Sequence, residues 1–287
     1  MEYQAQNLRD FVRQHHSRAR VLAVTSGKGG VGKTSTSVNL GIAMAAQGQR
    51  VTVLDADLGL ANVEVLLGLN SLYNLQHVIA GERRMRQIVV QGPGGIDLIP
   101  GSSGIAKLAD LGPHARENVI RGLMELQEDA DFIIIDTMAG IGQNAVAFAA
   151  AADEVLLVTT PEPSAIVDAY AMLKTINQLR KDAVIRIVVN MAANAAQANM
   201  VAAKLNHVAQ QYLGRSLATL GHILRDPHVA QAVMQATPFV LRYPAAPAAK
   251  NVQDLAAALL RQKREQERGR PGFLRRIVQN LGLVSNA

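Results

Sequence analysis

Two patterns alternate along the chain. Short, almost wholly apolar runs rich in Val and Ile occupy positions 21–24, 51–54, 96–99, 132–135, 155–158, 185–189 and, more weakly, 217–220. Stretches with helical spacing lie between them, at 35–46, 117–128, 145–151, 166–179 and 196–212. A strand that is apolar on both faces must be covered on both, and parallel strands joined through helices are covered in that way. The pattern therefore predicts one α/β domain over residues 21–260, doubly wound, with a mostly parallel sheet and helices on both faces. A stretch containing Pro and Ala (243–250) precedes a last predicted helix, 251 to about 267. Arg270-Pro271-Gly272 then breaks the chain. This leaves an N-terminal extension (1–20) and a basic C-terminal segment (261–287) outside the body.

Charge sharpens that division. The chain has 287 residues and a formal net charge of +6. Residues 21–260 carry 18 Lys/Arg against 19 Asp/Glu, whereas residues 1–20 contribute +2 and residues 261–287 contribute +5. A near-neutral body argues against a broad DNA-binding face, because that surface needs a basic stripe. With no cysteine, disulfides and thiolate metal sites are excluded. No apolar run is long enough to span a bilayer, and the polar first 20 residues do not read as a signal peptide. The expectation is a soluble cytoplasmic protein.

In α/β sheets ligands sit beyond the carboxyl ends of the strands, and the chemically informative residues fall there. Residues 27–34 read Gly-Lys-Gly-Gly-Val-Gly-Lys-Thr between the first apolar run and the first helix. Glycines let successive backbone N–H groups turn inward around a polyphosphate, and the helix N-terminus adds its positive end. Gly27, Gly29, Gly30, Val31, Gly32 and Ser35 are thus the candidate phosphate cradle. Lys33 would reach the β- and γ-phosphates, and the Thr34 hydroxyl would bind Mg²⁺. Asp136 ends the run at 132–135 and can hold Mg²⁺ through a water. Asp55 and Asp57 end the second run two residues apart, so both can face one metal–phosphate site. One would serve the metal's water shell and the other would orient an attacking water. The seven histidines include no helical pair with metal-ligand spacing.

Lys28 within Lys-Gly-Gly-Val-Gly-Lys-Thr, together with Asp55-x-Asp57 and Asp136-Thr-x-Ala-Gly, resembles the deviant-Walker ATPases of the MinD/ParA class, which have the SIMIBI-type P-loop fold. The resemblance implies an ATP-dependent homodimer in which Lys28 acts in trans on the partner's nucleotide. It also implies that Asp57 positions the hydrolytic water, that Asp55 lies nearer Mg²⁺, and that Asn190 contacts adenine. The resemblance also implies an adenine-side role for Asp226, although the family's Ile-Pro-x-Asp is replaced here by Ile223-Leu224-Arg225-Asp226. The segments at 57–68, 136–142 and 161–170 further resemble the flagellar number regulators of the FlhG/FleN type.

The two ends fit that subgroup. Tyr3-Gln4-Ala5-Gln6-Asn7-Leu8-Arg9 is similar to the Asp-Gln-Ala-x-x-Leu-Arg element that, in those regulators, stimulates FlhF, an SRP-type GTPase. Gln4, Leu8 and Arg9 would be the partner-activating residues. At the other end, Phe273, Leu274, Ile277, Val278 and Leu281 share one arc of a helix, with Arg275, Arg276, Gln279 and Asn280 opposite. A basic amphipathic helix of this kind reads as an in-plane anchor for an anionic membrane. The expected protein is a membrane-cycling ATPase that controls flagellar number with FlhF, peripherally bound to the inner face of the membrane when ATP-bound. Contacts with flagellar switch-complex proteins and a flagellar transcription activator are also implied. A MinD-type division-site regulator and a ParA-type DNA-partitioning ATPase are the alternative readings.

Overall fold

The computed structural model describes residues 19–57, 62–101, 113–262 and 272–280. Gln4, Leu8, Arg9 and Leu281 lie outside them. The described residues form one sheet of eight strands: β1 (Arg20–Ser26), β2 (Val51–Ala56), β3 (Val90–Gln91), β4 (Ile96–Ile99), β5 (Phe132–Ala139), β6 (Glu154–Thr159), β7 (Ile185–Ala192) and β8 (Ala218–Leu224). Their order is β3-β4-β2-β5-β1-β6-β7-β8. Neighbours are parallel except the two-residue β3, which runs antiparallel to β4. All seven apolar runs are strands, as the pattern predicts, and β3 is too short to carry a periodic signal.

The helices are α1 (Lys33–Ala45), α2 (Asn62–Leu67), α3 (Leu75–Ile79), α4 (Pro113–Asp129), α5 (Gln143–Ala151), α6 (Pro163–Leu179), α7 (Ala195–Leu213), α8 (Pro227–Met234), α9 (Phe239–Arg242), α10 (Pro247–Gln262) and α11 (Phe273–Asn280). Successive side chains of a strand point to opposite faces. Val21 and Ala23 of β1 accordingly enter one core, which α3 to α7 and α11 cover; Leu22 and Val24 enter the other, beneath α1, α2 and α8 to α10. Both faces of the central strands are dry, which is why their sequences read as continuous apolar runs. Helices α2, α3, α8 and α9 went unpredicted, being short pieces with little room for a helical period.

The amphipathic segment expected to meet a membrane packs on the body of the protein in this structure. Phe273, Leu274 and Ile277 of α11 are buried in the first core, against α5 and α4. Arg276 is buried as well; its Nε donates to Ala151 O at 2.6 Å and its guanidinium pairs with Asp153. An apolar arc fixes which face of a helix is hidden, not what hides it. Among the described residues, no helix is long and apolar enough to cross a membrane.

Candidate functional site

The turn from β1 into α1 is the starting point. Gly30 and Gly32 have φ of 76° and 85°, the left-handed region open mainly to glycine. Gly32 is further constrained by space, since a Cβ there would lie 2.3 Å from Asn190 Nδ2. A Cβ at Gly27 would lie 1.9 Å from the Asp168 carbonyl oxygen, so the loop is seated directly against the backbone of α6. Ser26 Oγ donates to Lys28 O at 2.7 Å, and Gly140 N donates to Ser26 O at 3.0 Å. The phosphate loop is thereby tied to the segment after β5.

Parallel register brings the acids together. Asp55 of β2 and Asp136 of β5 are direct neighbours, and Asp136 is also opposite Val24 of β1. Thr34 Oγ1 donates to Asp136 Oδ2 at 2.7 Å, and Ser37 Oγ donates to Asp136 Oδ1 at 2.8 Å. Asp55 accepts the N–H of Asp57 at 3.0 Å and of Val63 at 3.2 Å. Asn62 Nδ2 donates to Asp57 Oδ2 at 2.8 Å, so the start of α2 fixes that carboxylate. Lys33 is buried beside the acids.

The electrostatics are those of an under-neutralised pocket. Burial raises the Asp55 carboxyl to about 7, and the charge of Asp136 adds to the effect against the two N–H bonds. Burial raises Asp136 to about 6, opposed by the Thr34 and Ser37 hydroxyls and by Lys33. Burial also lowers the Lys33 ammonium below its ordinary value, although Asp136 and Asp57 pull it upward. Each group is in a place where its charge costs more than in water.

These residues fit Mg²⁺. Its usual donors are hard oxygens, and it is normally held by one or two carboxylates plus phosphates and waters rather than by an all-protein cage. The Thr34 hydroxyl and the Asp55 and Asp136 carboxylates supply such a partial set. No group of three or more His, Cys, Asp or Glu among the described residues could hold a metal ion on its own. The buried Ser35 hydroxyl, in the first turn of α1, has no hydrogen-bond partner among them. An unpaired buried hydroxyl beside an inward-turned glycine loop suits an anionic ligand.

Three expected residues are placed in ways the sequence did not reveal. Lys28 Nζ is bound within its own chain, to Glu162 Oε2 at 2.7 Å and Ser164 Oγ at 2.9 Å, where the chain enters α6. The bond and charge of Lys28 lower the Glu162 carboxyl below its ordinary value. Asn190 uses both ends of its amide: Nδ2 donates to Val31 O at 2.8 Å and Oδ1 accepts Met191 N at 2.9 Å. It braces the phosphate loop. Asp226 caps α8, accepting His228 N at 3.0 Å and Ala248 N at 3.2 Å, with His228 Nδ1 at 2.8 Å. Burial acts to raise this carboxyl, but those bonds outweigh it and hold it below its ordinary value.

Glu162, Ser164, Ser37 and Asn62 were not singled out from the sequence. Glu162 and Ser164 are more than 130 residues from Lys28, so no local pattern links them. Ser37 did carry a signal: it lies three residues after Thr34, on the same face of a helix.

Comparison with known proteins bears on the family and the fold. Residues 17–260 match a ParA family profile described as the NUBPL iron-transfer P-loop NTPase. The antiactivator FleN of Pseudomonas aeruginosa is 43% identical over 216 residues, 75% of this chain and 77% of that protein. The flagellum site-determining protein YlxH of Helicobacter pylori is 40% identical over 194 residues, 67% of this chain and 64% of that protein. Among solved structures, the cell division ATPase MinD of Pyrococcus furiosus superposes with a TM-score of 0.70 at 25% identity, covering 85% of this chain and 99% of that one.

Proposed function

Because this chain belongs to the MinD/ParA family of P-loop ATPases, we propose that it is an ATP-driven, membrane-associating switch that controls flagellar number and placement. It is an ATPase, and its reaction is hydrolysis of ATP to ADP and phosphate. The flagellar assignment is carried by its similarity to FleN, the antiactivator, over three quarters of the chain, and by the site-determining YlxH. MinD-type division-site control is the second reading, supported by the MinD fold match.

In this reading the N–H groups of Gly27 to Gly32, with Ser35 and Lys33, bind the phosphates. Thr34, Asp55 and Asp136 hold Mg²⁺, which when bound neutralises developing charge on the phosphate oxygens. Asp57, fixed by Asn62, positions the attacking water. Asn190 and Asp226 lie on the adenine side, Asn190 acting through the loop that it braces.

Lys28 would cross to a second copy's nucleotide. Its present partners are exposed, and an exposed ion pair contributes little because water screens it, so Glu162 and Ser164 release it readily to a polyphosphate. Two subunits sharing two nucleotides would thus form only when ATP draws both lysines across.

The membrane and the body of the protein compete for one surface. Phe273, Leu274 and Ile277 cannot face lipid while they pack on α5. Each large apolar side chain gains roughly 1.5–3 kcal/mol on full burial in either place, so this gain largely cancels between the two states and dimerisation would bias the choice. Pairing two tails adds avidity of roughly 10²-fold or more. The N-terminal Gln4, Leu8 and Arg9 would engage the SRP-type GTPase FlhF.

The test is sedimentation with liposomes containing anionic lipid, combined with light scattering. Wild type should dimerise and sediment with ATP and not with ADP. Lys28→Ala should stay monomeric in ATP, and deletion of residues 271–287 should abolish sedimentation but not dimerisation. In the cell, gene deletion should add flagella and leave septa in place. Minicells with normal flagellation would favour the division-site reading.

A further inference from the structure

Two hydroxyls on one face of α1 hold the two oxygens of Asp136, and they are not equivalent. Thr34 opens the helix and takes Oδ2 at 2.7 Å; Ser37, a turn deeper, takes Oδ1 at 2.8 Å. Ser37 and Asp136 are both at 0% exposure. Ser37 sits a turn beyond Thr34 and holds the carboxylate oxygen that Thr34 leaves free, so it acts from behind Asp136 and not at the mouth of the loop. We propose that Ser37 is a positioning residue for Mg²⁺: it fixes the rotamer of Asp136 so that Oδ2 faces the Thr34 hydroxyl and the cation. The proposal rests on the reading of this rim as an Mg²⁺–nucleotide site.

The geometry gives three reasons. A carboxylate bonded at one oxygen can still swing about that bond, whereas bonds at both oxygens fix its plane. The Ser37 hydroxyl carries one proton and has two acceptors within reach, Asp136 Oδ1 and Lys33 O at 3.0 Å. The ionised carboxylate is the stronger acceptor, so the proton goes to Asp136. Lastly, Thr34 is the hydroxyl that a metal would engage, while the Ser37 bond lies on the far oxygen and stays in place whatever binds.

Removing such an outer-shell partner leaves a buried carboxylate oxygen without a donor and frees the ligand to rotate. The experiment is a titration of a fluorescent ADP analogue with the full chain, across a series of Mg²⁺ concentrations and in EDTA, with thermal midpoints recorded alongside. Ser37→Ala should raise the half-saturating Mg²⁺ concentration roughly 10- to 100-fold while leaving affinity in EDTA within about two-fold. Ser37→Thr, which keeps the hydroxyl, should stay near wild type. Should Ser37→Ala not fold, Ser37→Cys keeps the volume with a weaker donor and should shift the same curve. An unchanged Mg²⁺ dependence in a folded variant overturns the proposal, as does an equal loss in EDTA. If wild type binds the analogue no better with Mg²⁺ than without, it is the reading of the rim that fails.

Discussion

At the edge of the sheet where the strands begin, Glu154 is completely buried, and the guanidiniums of Arg20 and Arg186 from the strands on either side close on it. At the opposite rim, where the strands end, Asp55 and Asp136 are just as buried, with Asp57 beside them and Lys33 as the nearby cation. The lower acid is neutralised by the protein itself, and Arg20 also ties it to α10 through Leu259 O at 3.1 Å. The upper acids are not: their carboxyls are pushed up to about 7 and about 6. Burial alone therefore does not mark a functional acid. What separates the two ends is the deficit of positive charge at the upper rim, which a cationic ligand would make good.

That contrast breaks if the two ends respond alike. The largest separation is expected between Lys33→Ala and Glu154→Gln. Lys33→Ala should abolish detectable ATP turnover in a phosphate-release assay and leave the chain folded. Glu154→Gln removes the buried carboxylate between two part-buried guanidiniums, which should cost up to about 3–5 kcal/mol. In a thermal melt this should appear as a midpoint roughly 5–15 °C lower, with the nucleotide affinity of the folded fraction retained. Equal loss of binding in both variants would erase the distinction.

A smaller effect sharpens it. Asp55 and Asp136 have folded values above their ordinary 3.8, so between about pH 4 and pH 7 the folded state binds more protons than the unfolded one. Stability of the nucleotide-free protein from this source is therefore greatest at the acid end and falls as pH rises through 6 and 7. Melts between pH 5 and 8 should show this decline, and Mg²⁺ with ADP should reduce it by rewarding the ionised carboxylates. A decline that the ligand leaves intact would place its origin elsewhere.

The smallest effect concerns α11. Arg276→Ala removes the bond to Ala151 O and the pair with Asp153 while keeping the apolar face. It should increase liposome binding in ADP several-fold, a difference of about 1 kcal/mol. Unchanged binding would mean that Arg276 does not restrain the helix.

The sequence exposed the rim better than the lower edge, for physical reasons. A phosphate loop needs particular residues in consecutive order, and acids at strand ends stand out against apolar runs, so Lys33, Thr34, Asp55 and Asp136 could be read before any coordinates. Glu154 looks like an ordinary charged residue opening a strand, and only the parallel register of β1, β6 and β7 brings Arg20 and Arg186 to it. Lys28 shows the same limit. Its residue type points to phosphate, but its position on Glu162 follows from α6 packing against Gly27. The resemblance assigns Asn190 and Asp226 to the adenine side, but which local contacts engage them is set by tertiary structure: Asn190 braces the loop at Val31 O and Asp226 caps α8.

The most direct test is a calorimetric titration of ATP into the full chain with Mg²⁺ and again in EDTA. If the rim is short of positive charge and a metal–nucleotide completes it, binding should be at least 10-fold tighter with Mg²⁺, a gain of about 1.4 kcal/mol or more. Affinity that is the same in both, or stronger in EDTA, would contradict the account.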